Sequence, residues 1–168
     1  MLRVDLGQLG REGAVDVEAR IASDHELWKD TDLAWDDGVA VQLRASFAGT
    51  GEVVVRGTAE GTLKQECRRC LEPVHTAVAE ELTMVFVSEA DQDEDGGAYP
   101  LEPVGDELDL SDAVREELVL AMNPFVVCKP ECRGLCPRCG QDLNEGTCAC
   151  TLEEPDPRWA ALRELKSE

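Results

Sequence analysis

The eight cysteines of this chain are the residues whose type and spacing could carry out chemistry. The most informative unit is Cys136-Pro137-Arg138-Cys139-Gly140, in which two thiolates separated by two residues can bind one metal ion from a tight turn. The Asn144-Glu145-Gly146 sequence predicts a chain reversal that returns the last two cysteines toward this unit. The spacing therefore predicts that one Zn²⁺ ion is surrounded by the sulfurs of Cys136, Cys139, Cys148 and Cys150.

Four further cysteines could form a second site of the same kind. Cys128 and Cys132 precede the first unit, and Cys67 and Cys70 lie in a predicted hairpin turn. If the cysteine-rich tail folds onto the sheet, these sulfurs predict a second site, so the expected cofactor is one or two zinc ions. For the tail, an iron–sulfur cluster, redox thiols and disulfides are the less favoured alternatives. For the Cys67 and Cys70 pair alone, a plain turn is an equal alternative.

The same residues argue against catalysis. All-cysteine zinc sites are usually closed and leave no open position for an activated water. His25 and His75 are the only histidines, and neither lies in a recognisable pairing with Ser or Cys for nucleophilic catalysis. The sequence therefore predicts a non-enzymatic protein without a small-molecule substrate. A thiol–disulfide redox protein that uses Cys67 and Cys70 stays open as the alternative.

Alternating apolar residues predict the strands that must position these cysteines. The alternation covers residues 14–21, 39–47, 53–63 and 74–86. The turns that join the last three runs are Gly49-Thr50-Gly51 and the segment from Cys67 to Pro73, and such short connections indicate an antiparallel meander. The segment from Asp24 to Asp37 carries acids and two tryptophans, and it is predicted to be an irregular, partly packed connection.

Two helices are predicted outside these strands. Apolar residues recur every four positions from 110 to 122, behind Asp109, which is expected to be the N-cap. Asp156-Pro157 predicts the start of a short C-terminal helix with an apolar stripe of Trp159, Leu162 and Leu165. The acid run from Glu89 to Asp95 is predicted to be a mobile, solvated loop.

Together these patterns predict an α+β fold. Its parts are an antiparallel meander sheet with one packed helix, a cysteine-rich zinc-binding extension and a short C-terminal helix. The expected organisation is an N-terminal strand with an irregular acidic segment packed on the main domain, then a core of sheet and helix, then the extension. The bounds of these three regions are residues 1–38, 39–123 and 124–168.

Charge limits the classes of partner. The 168 residues include 36 acidic and 16 basic ones, which gives a formal net charge of −20. A field of this sign repels phosphates, so nucleic-acid binding by a general basic face and adsorption to an anionic membrane are disfavoured. The absence of a signal-like N-terminus and of an apolar stretch near the roughly 20 residues that span a bilayer predicts a cytoplasmic protein. Basic proteins are its natural electrostatic partners.

The ordered series of motifs resembles the YceD family. The motifs that carry the resemblance are Cys67-Arg68-Arg69-Cys70-Leu71-Glu72-Pro73-Val74, the helix after Leu108-Asp109-Leu110, Cys132-Arg133-Gly134-Leu135-Cys136-Pro137-Arg138-Cys139-Gly140, and Asp156-Pro157-Arg158. The resemblance covers roughly residues 39 to 165, and its series of motifs is specific although each motif alone is not. It implies a cytoplasmic, non-enzymatic factor that acts in accumulation of 23S ribosomal RNA and assembly of the large ribosomal subunit.

Two mechanisms are compatible with this resemblance. In the favoured one, the acidic body binds a basic ribosomal or assembly protein of the large subunit. In the other, a small basic patch around the metal sites contacts 23S rRNA despite the net charge. The residues of that patch are Arg68, Arg69, Lys129, Arg133 and Arg138.

Overall fold

The computed structural model describes residues 2–49, 51–88 and 97–150. They form a mainly β structure with two α-helices and one short 3-10 helix. The elements in chain order are β1 (Arg3–Asp5), α1 (Leu6–Glu12), β2 (Ala14–Ile21), the 3-10 helix (Glu26–Trp28), β3 (Ala34–Phe47), β4 (Val53–Glu66), β5 (Pro73–Val87), β6 (Tyr99–Pro100), β7 (Glu107–Asp109) and α2 (Ser111–Ala121).

The central sheet confirms the predicted meander. Its strand order is β2-β3-β4-β5-β6, and β2 through β5 pair antiparallel with their chain neighbours. The short β6 adds at the edge in parallel to β5, and β1 pairs with β7 in a separate two-stranded sheet. The predicted α+β class is therefore confirmed, with the cysteines following the sheet and α2 in the C-terminal part of the chain.

One hydrophobic cluster lies between the sheet and α2. The alternating residues Val39, Val41, Val53 and Val55 are at most 1% exposed, because successive side chains of a strand point to opposite faces. From α2, the predicted stripe contributes fully buried side chains, including Leu118, to the same cluster. Burial of one stripe of the helix fixes its position across the sheet.

The connection between β2 and β3 is more ordered than the sequence predicts. The interpretation of residues 24–37 as irregular is wrong at its C-terminal end, because β3 already begins at Ala34. The alternation is hidden by a register shift between Trp35 and Val39, where Gly38 has a φ of 85° and lies against the Ile21 backbone. Trp28 and Trp35 are both 5% exposed, with ring centroids 5.7 Å apart, so they belong to the core.

The cap of α2 also differs from the expectation. Leu110, not Asp109, is the N-cap residue, and it makes no side-chain capping hydrogen bond. Asp109 lies one residue earlier in β7, and its Oδ1 accepts a hydrogen bond from the Ser111 backbone N–H at 2.9 Å. The carboxylate therefore still satisfies one free N–H group of the first turn.

Several predictions fall outside the part of the chain that the structure describes. The acid run Glu89 to Asp95 and the C-terminal helix from Asp156 lie there, and the three-region division of the chain stays a prediction. Among the described residues, no helix is long and apolar enough to cross a membrane.

Candidate metal centres

Four cysteines from two distant parts of the chain meet beside the end of the β4–β5 hairpin. We call this group, Cys67, Cys70, Cys128 and Cys132, the first cysteine set; its Sγ atoms all lie within 4.8 Å of one another. The Cys67 and Cys132 sulfurs are 3.8 Å apart, and those of Cys70 and Cys128 are 3.6 Å apart. These distances are far longer than the ~2.05 Å of a disulfide bond, so the sulfurs are grouped but not bonded.

Two elements bring the first cysteine set together. The turn between β4 and β5 carries Cys67 and Cys70, and the chain returns from α2 along the outside of this turn. The Gln65 side chain donates to the Asn123 carbonyl at 3.0 Å, and the Arg68 N–H donates to the Val126 carbonyl at 3.1 Å. These bonds hold the returning segment against the hairpin and place the next two cysteines beside the turn.

The remaining cysteines form a second group within one short stretch of chain. We call this group, Cys136, Cys139, Cys148 and Cys150, the second cysteine set; its Sγ atoms also lie within 4.8 Å of one another. The Cys136 N–H donates to the Gln141 carbonyl at 2.8 Å, and Leu135 bridges Asp142 in the antiparallel sense. The reversal predicted around Asn144 thus brings the two halves of this set together. Each set could hold one metal ion.

The two sets begin with the same backbone turn. In the first, the Leu71 N–H donates to the Cys67 carbonyl at 2.8 Å, and Leu71 has a φ of 64°. In the second, the Gly140 N–H donates to the Cys136 carbonyl at 2.9 Å, and Gly140 has a φ of 74°. The glycine adopts this left-handed conformation at no steric cost, whereas the leucine is strained by it.

A short contact surface joins the two sets. The Leu135 N–H donates to the Arg69 carbonyl at 2.9 Å, and Gly134, with a φ of 71°, fits there because a Cβ would lie 2.7 Å from the same oxygen. From the second loop, the Asn144 side-chain amide donates to the Cys132 sulfur at 3.5 Å. In the sequence, Asn144 indicates only a turn, and the spacing of the cysteines gives no signal for this bond.

Backbone N–H groups favour the thiolate form of one cysteine in each set. Burial raises the pKa of Cys67, but hydrogen bonds from the backbone of Cys128, Cys70 and Arg69 outweigh it and lower the pKa to about 6. The backbone N–H groups of Cys139 and Arg138 lower the pKa of Cys136 to about 6 in the same way. Such N–H groups aimed at sulfur suit a site for a bound cation.

Burial and neighbouring sulfurs disfavour the thiolate form of one other cysteine in each set. The neighbouring Cys139 sulfur and burial raise the pKa of Cys150 to about 12. In the first set, burial and the neighbouring sulfurs outweigh a backbone bond from Glu72 and raise the pKa of Cys70 to about 12. A metal ion would remove this repulsion between thiolates, because its positive charge interacts with all four.

The five basic residues named in the sequence analysis have different surroundings. The Arg69 side chain donates to the Cys132 carbonyl at 2.9 Å and to the Pro130 carbonyl at 3.4 Å, so it supports the first cysteine set. The Arg68 guanidinium lies over the Phe125 ring, 4.4 Å from its centroid. The other three are exposed around the two sets: Lys129, Arg133 and Arg138.

Both histidines have local partners. The His25 Nδ1 accepts a hydrogen bond from the Leu27 N–H at 3.1 Å at the start of the 3-10 helix. His75 Nδ1 lies 2.7 Å from Asp36 Oδ2 across the sheet. These bonds agree with the interpretation of both residues as local surface and turn groups.

Comparison with known proteins places these features in a family. The family model described as "Large ribosomal RNA subunit accumulation protein YceD" matches residues 55–166, which include all eight cysteines. This chain belongs to the YceD family. The YceD resemblance expected from the motifs is thereby confirmed, and the family match covers β4, β5, α2 and both cysteine sets.

Individual relatives match either most of this chain or a shorter part of it. Uncharacterized proteins of Mycobacterium bovis and Mycobacterium tuberculosis are 33% identical over 174 residues, which cover 98% of this chain and 81% of theirs. An Arabidopsis thaliana protein named "Large ribosomal RNA subunit accumulation protein YCED homolog 1, chloroplastic" is 32% identical over 62 residues, 37% of this chain and 19% of its own. No solved structure matches this chain.

Proposed function

We propose that this chain is a non-enzymatic, zinc-binding factor that supports accumulation of 23S rRNA during assembly of the large ribosomal subunit. The observation that carries the proposal is the family match over residues 55–166, because the description of that family is accumulation of large ribosomal RNA. The factor acts by binding a basic ribosomal or assembly protein in the cytoplasm. Contact with 23S rRNA through the basic residues around the cysteine sets is the less favoured alternative to a protein-only interaction.

Zinc fits the sulfur separations of the first cysteine set, and the second cysteine set offers the same four thiols. With Zn–S bonds of about 2.3 Å, a regular tetrahedron separates its sulfurs by about 3.8 Å. The measured separations in the first cysteine set are 3.8 Å and 3.6 Å. A multi-iron cluster holds its thiolates farther apart, because the irons and sulfides lie between them. The grouping of Cys67 and Cys70 with two further cysteines also favours a metal site over a redox pair.

The proposed zinc ions are structural. Four sulfurs fill the coordination of a tetrahedral ion, so no position is left for a water or a substrate. Each ion would tie together backbone that has little core of its own, since among the described residues the small cluster beside the first set consists of its own buried cysteines, with Val127 and Leu135 half-buried against them. The metal therefore supports a binding surface and supplies no chemistry.

A protein partner is favoured over RNA by the charge of the molecule. The formal net charge of −20 attracts a basic protein and repels phosphate. Within the basic patch, the Arg69 guanidinium already donates to two backbone carbonyls, and the Arg68 guanidinium lies on Phe125. Both arginines therefore have structural roles that do not require RNA.

The proposal is tested by purifying the tagged protein from its own cells at low salt, with and without RNase. We expect enrichment of large-subunit ribosomal or assembly proteins over a charge-matched control protein, and we expect this enrichment to survive RNase. Loss of enrichment after RNase would show that RNA holds the complex together. If neither 23S precursor nor large-subunit proteins are enriched, direct action in assembly is ruled out.

A further inference from the structure

A groove of about 1310 Å³ lies where the sheet, α2 and the first cysteine set meet. One wall is the outer side of α2, and the opposite wall is the end of β4 with the start of β3. The turn that carries Cys67 and Cys70 closes one end through Leu71 and Pro73. The groove is therefore built from three parts of the fold and does not belong to either candidate metal centre.

The groove exposes apolar side chains to solvent. Leu120 and Val119 on α2 are 73% and 43% exposed, and Leu71 in the turn is 57% exposed. Val114 and Leu118 of the predicted stripe are buried in the core, so Val119 and Leu120 form a separate apolar surface on α2. Clustered apolar side chains in a concave surface with a polar rim are typical of a binding site for another protein.

Leu71 is exposed at a strained position. It has a φ of 64°, whereas the equivalent turn of the second cysteine set uses Gly140 at the same point with a φ of 74°. A glycine would form this turn without strain, so neither the backbone nor the core requires a leucine side chain here. Backbone strain that folding does not require is characteristic of functional sites.

The rim of the groove is acidic. Five carboxylates line it, and none of them forms a salt bridge with another described residue: Asp30, Asp32, Glu66, Asp112 and Glu116. Lys64 and Arg115 are the basic residues of the lining, so negative charge is in excess. An apolar floor inside an unpaired acidic rim is complementary to a segment that combines apolar anchors with Lys or Arg.

We propose that this groove binds a basic segment of a partner protein, whose apolar side chains lie against Leu71, Val119 and Leu120. This proposal rests on the proposed function, because it identifies the surface that receives the basic ribosomal or assembly protein. Apolar side chains from two sides of the groove, Val119 and Leu120 on α2 and Leu71 in the turn, suit an amphipathic helix, which presents apolar anchors three and four residues apart on one face.

The test measures fluorescence anisotropy of a labelled helical peptide of Leu, Lys and Ala, with leucines three and four residues apart, bound to the full chain. A peptide of the same composition in scrambled order is the control for charge. We expect the ordered peptide to bind about tenfold more tightly than the scrambled one. We expect Leu120→Asp to remove this preference, whereas Val104→Asp, at a residue 85% exposed outside the groove, keeps it.

Leu71→Gly separates binding from folding. Because glycine relieves the backbone strain, we expect the thermal unfolding temperature to stay the same or rise while the peptide affinity falls severalfold. Equal affinity for the two peptides, or equal effects of Leu120→Asp and Val104→Asp, would overturn the proposal. A photo-crosslinker at position 120 that links to another copy of the chain, or to residues 151–168 of the same chain, would also overturn it.

Failure here can be told apart from failure of the proposed function. If Leu120→Asp protein still enriches large-subunit proteins from cells as the unchanged chain does, the groove is not the surface and the proposed function stands. If the unchanged chain enriches none of them, the proposed function itself fails, whatever the peptide does.

Discussion

Asn144 is the residue through which the second loop contacts the first cysteine set. Its side-chain amide donates to the Cys132 sulfur at 3.5 Å and to Asp142 Oδ1 at 2.7 Å, while its Oδ1 accepts from the Arg133 N–H at 2.8 Å. A hydrogen bond to a thiolate ligand disperses its charge and fixes its direction. One side chain of the second loop thus influences the ligand geometry of the first centre.

We expect Asn144→Ala to weaken metal binding at the first centre about tenfold, because the amide donor to Cys132 is lost. Protein loaded with cadmium should give one cadmium NMR resonance for each centre. The resonance of the first centre is the one that disappears in Cys70→Ser. Competition with a chelator, followed on both resonances, measures the two affinities separately. Asn123→Ala is the control, since the Asn123 side chain accepts from the Phe125 N–H and contacts no sulfur. Equal weakening in both variants would contradict the prediction.

At the scale of elements, the β4–β5 hairpin supports the first centre and contacts the loop of the second. It carries the first pair of cysteines in its turn, binds the segment that returns from α2, and contacts the second loop through the Arg69 carbonyl. The second centre instead depends mainly on bonds within its own loop. Loss of one metal should therefore disturb different parts of the chain at the two centres.

We expect Cys70→Ser and Cys150→Ser each to lose one of two zinc ions by metal analysis of the purified protein. In Cys70→Ser the Arg68 and Leu135 amides should exchange hydrogen faster. Each of them donates to a carbonyl on the other side of the contact between the hairpin and the cysteine-rich extension. The Gly140 amide should stay protected from hydrogen exchange in Cys70→Ser and lose this protection in Cys150→Ser. Loss of both ions in either variant, or unchanged zinc in Cys70→Ser, would refute two separate centres.

Elements with a regular pattern could be predicted from the sequence. The β2 strand runs from Ala14 to Ile21 as the alternation indicates, and α2 covers Ser111 to Ala121 because its buried face repeats every three to four residues. The cysteine pairs indicated their own turns, since two thiolates two residues apart suit one ion. In these cases the information lies within a few neighbouring residues.

Other features depend on contacts that short patterns do not contain. The β1 strand exists because Arg3 to Asp5 pairs with β7, more than a hundred residues away, and α1 contains Gly7 and Gly10, which weaken its helical pattern. The start of β3 was hidden by the register shift after Trp35. The groove beside Leu71 results from tertiary packing, because its lining comes from distant parts of the chain.

For the whole molecule, charge governs the encounter with a partner. A net charge of −20 attracts a basic protein over a distance set by the ionic strength, and two four-thiolate zinc centres would make the chain more negative still. Contact in the apolar groove, by contrast, is short-ranged. Association and dissociation should therefore respond differently to salt.

We expect the association rate with a purified basic large-subunit protein to fall steeply as salt is raised, while the dissociation rate changes little. Glu18→Gln with Glu60→Gln, both exposed outside the groove, should slow association slightly without faster dissociation. Stopped-flow fluorescence measures both rates.

Purified 23S rRNA should remain unbound at any salt concentration. If 23S rRNA did bind, and the variant with both Arg68→Glu and Arg69→Glu lost that binding, direct RNA contact would be favoured instead.

The separation of the cysteines along the chain has a consequence for the order of folding. The sulfurs that meet in the first cysteine set are 58 and 65 residues apart in sequence, whereas those of the second lie within one short loop. Closing a long loop costs more entropy and is slow until the intervening strand β5 and helix α2 have packed. A newly made chain should therefore capture its first metal ion at the second cysteine set, and occupation of the first cysteine set marks a chain in which β5 and α2 are already in place.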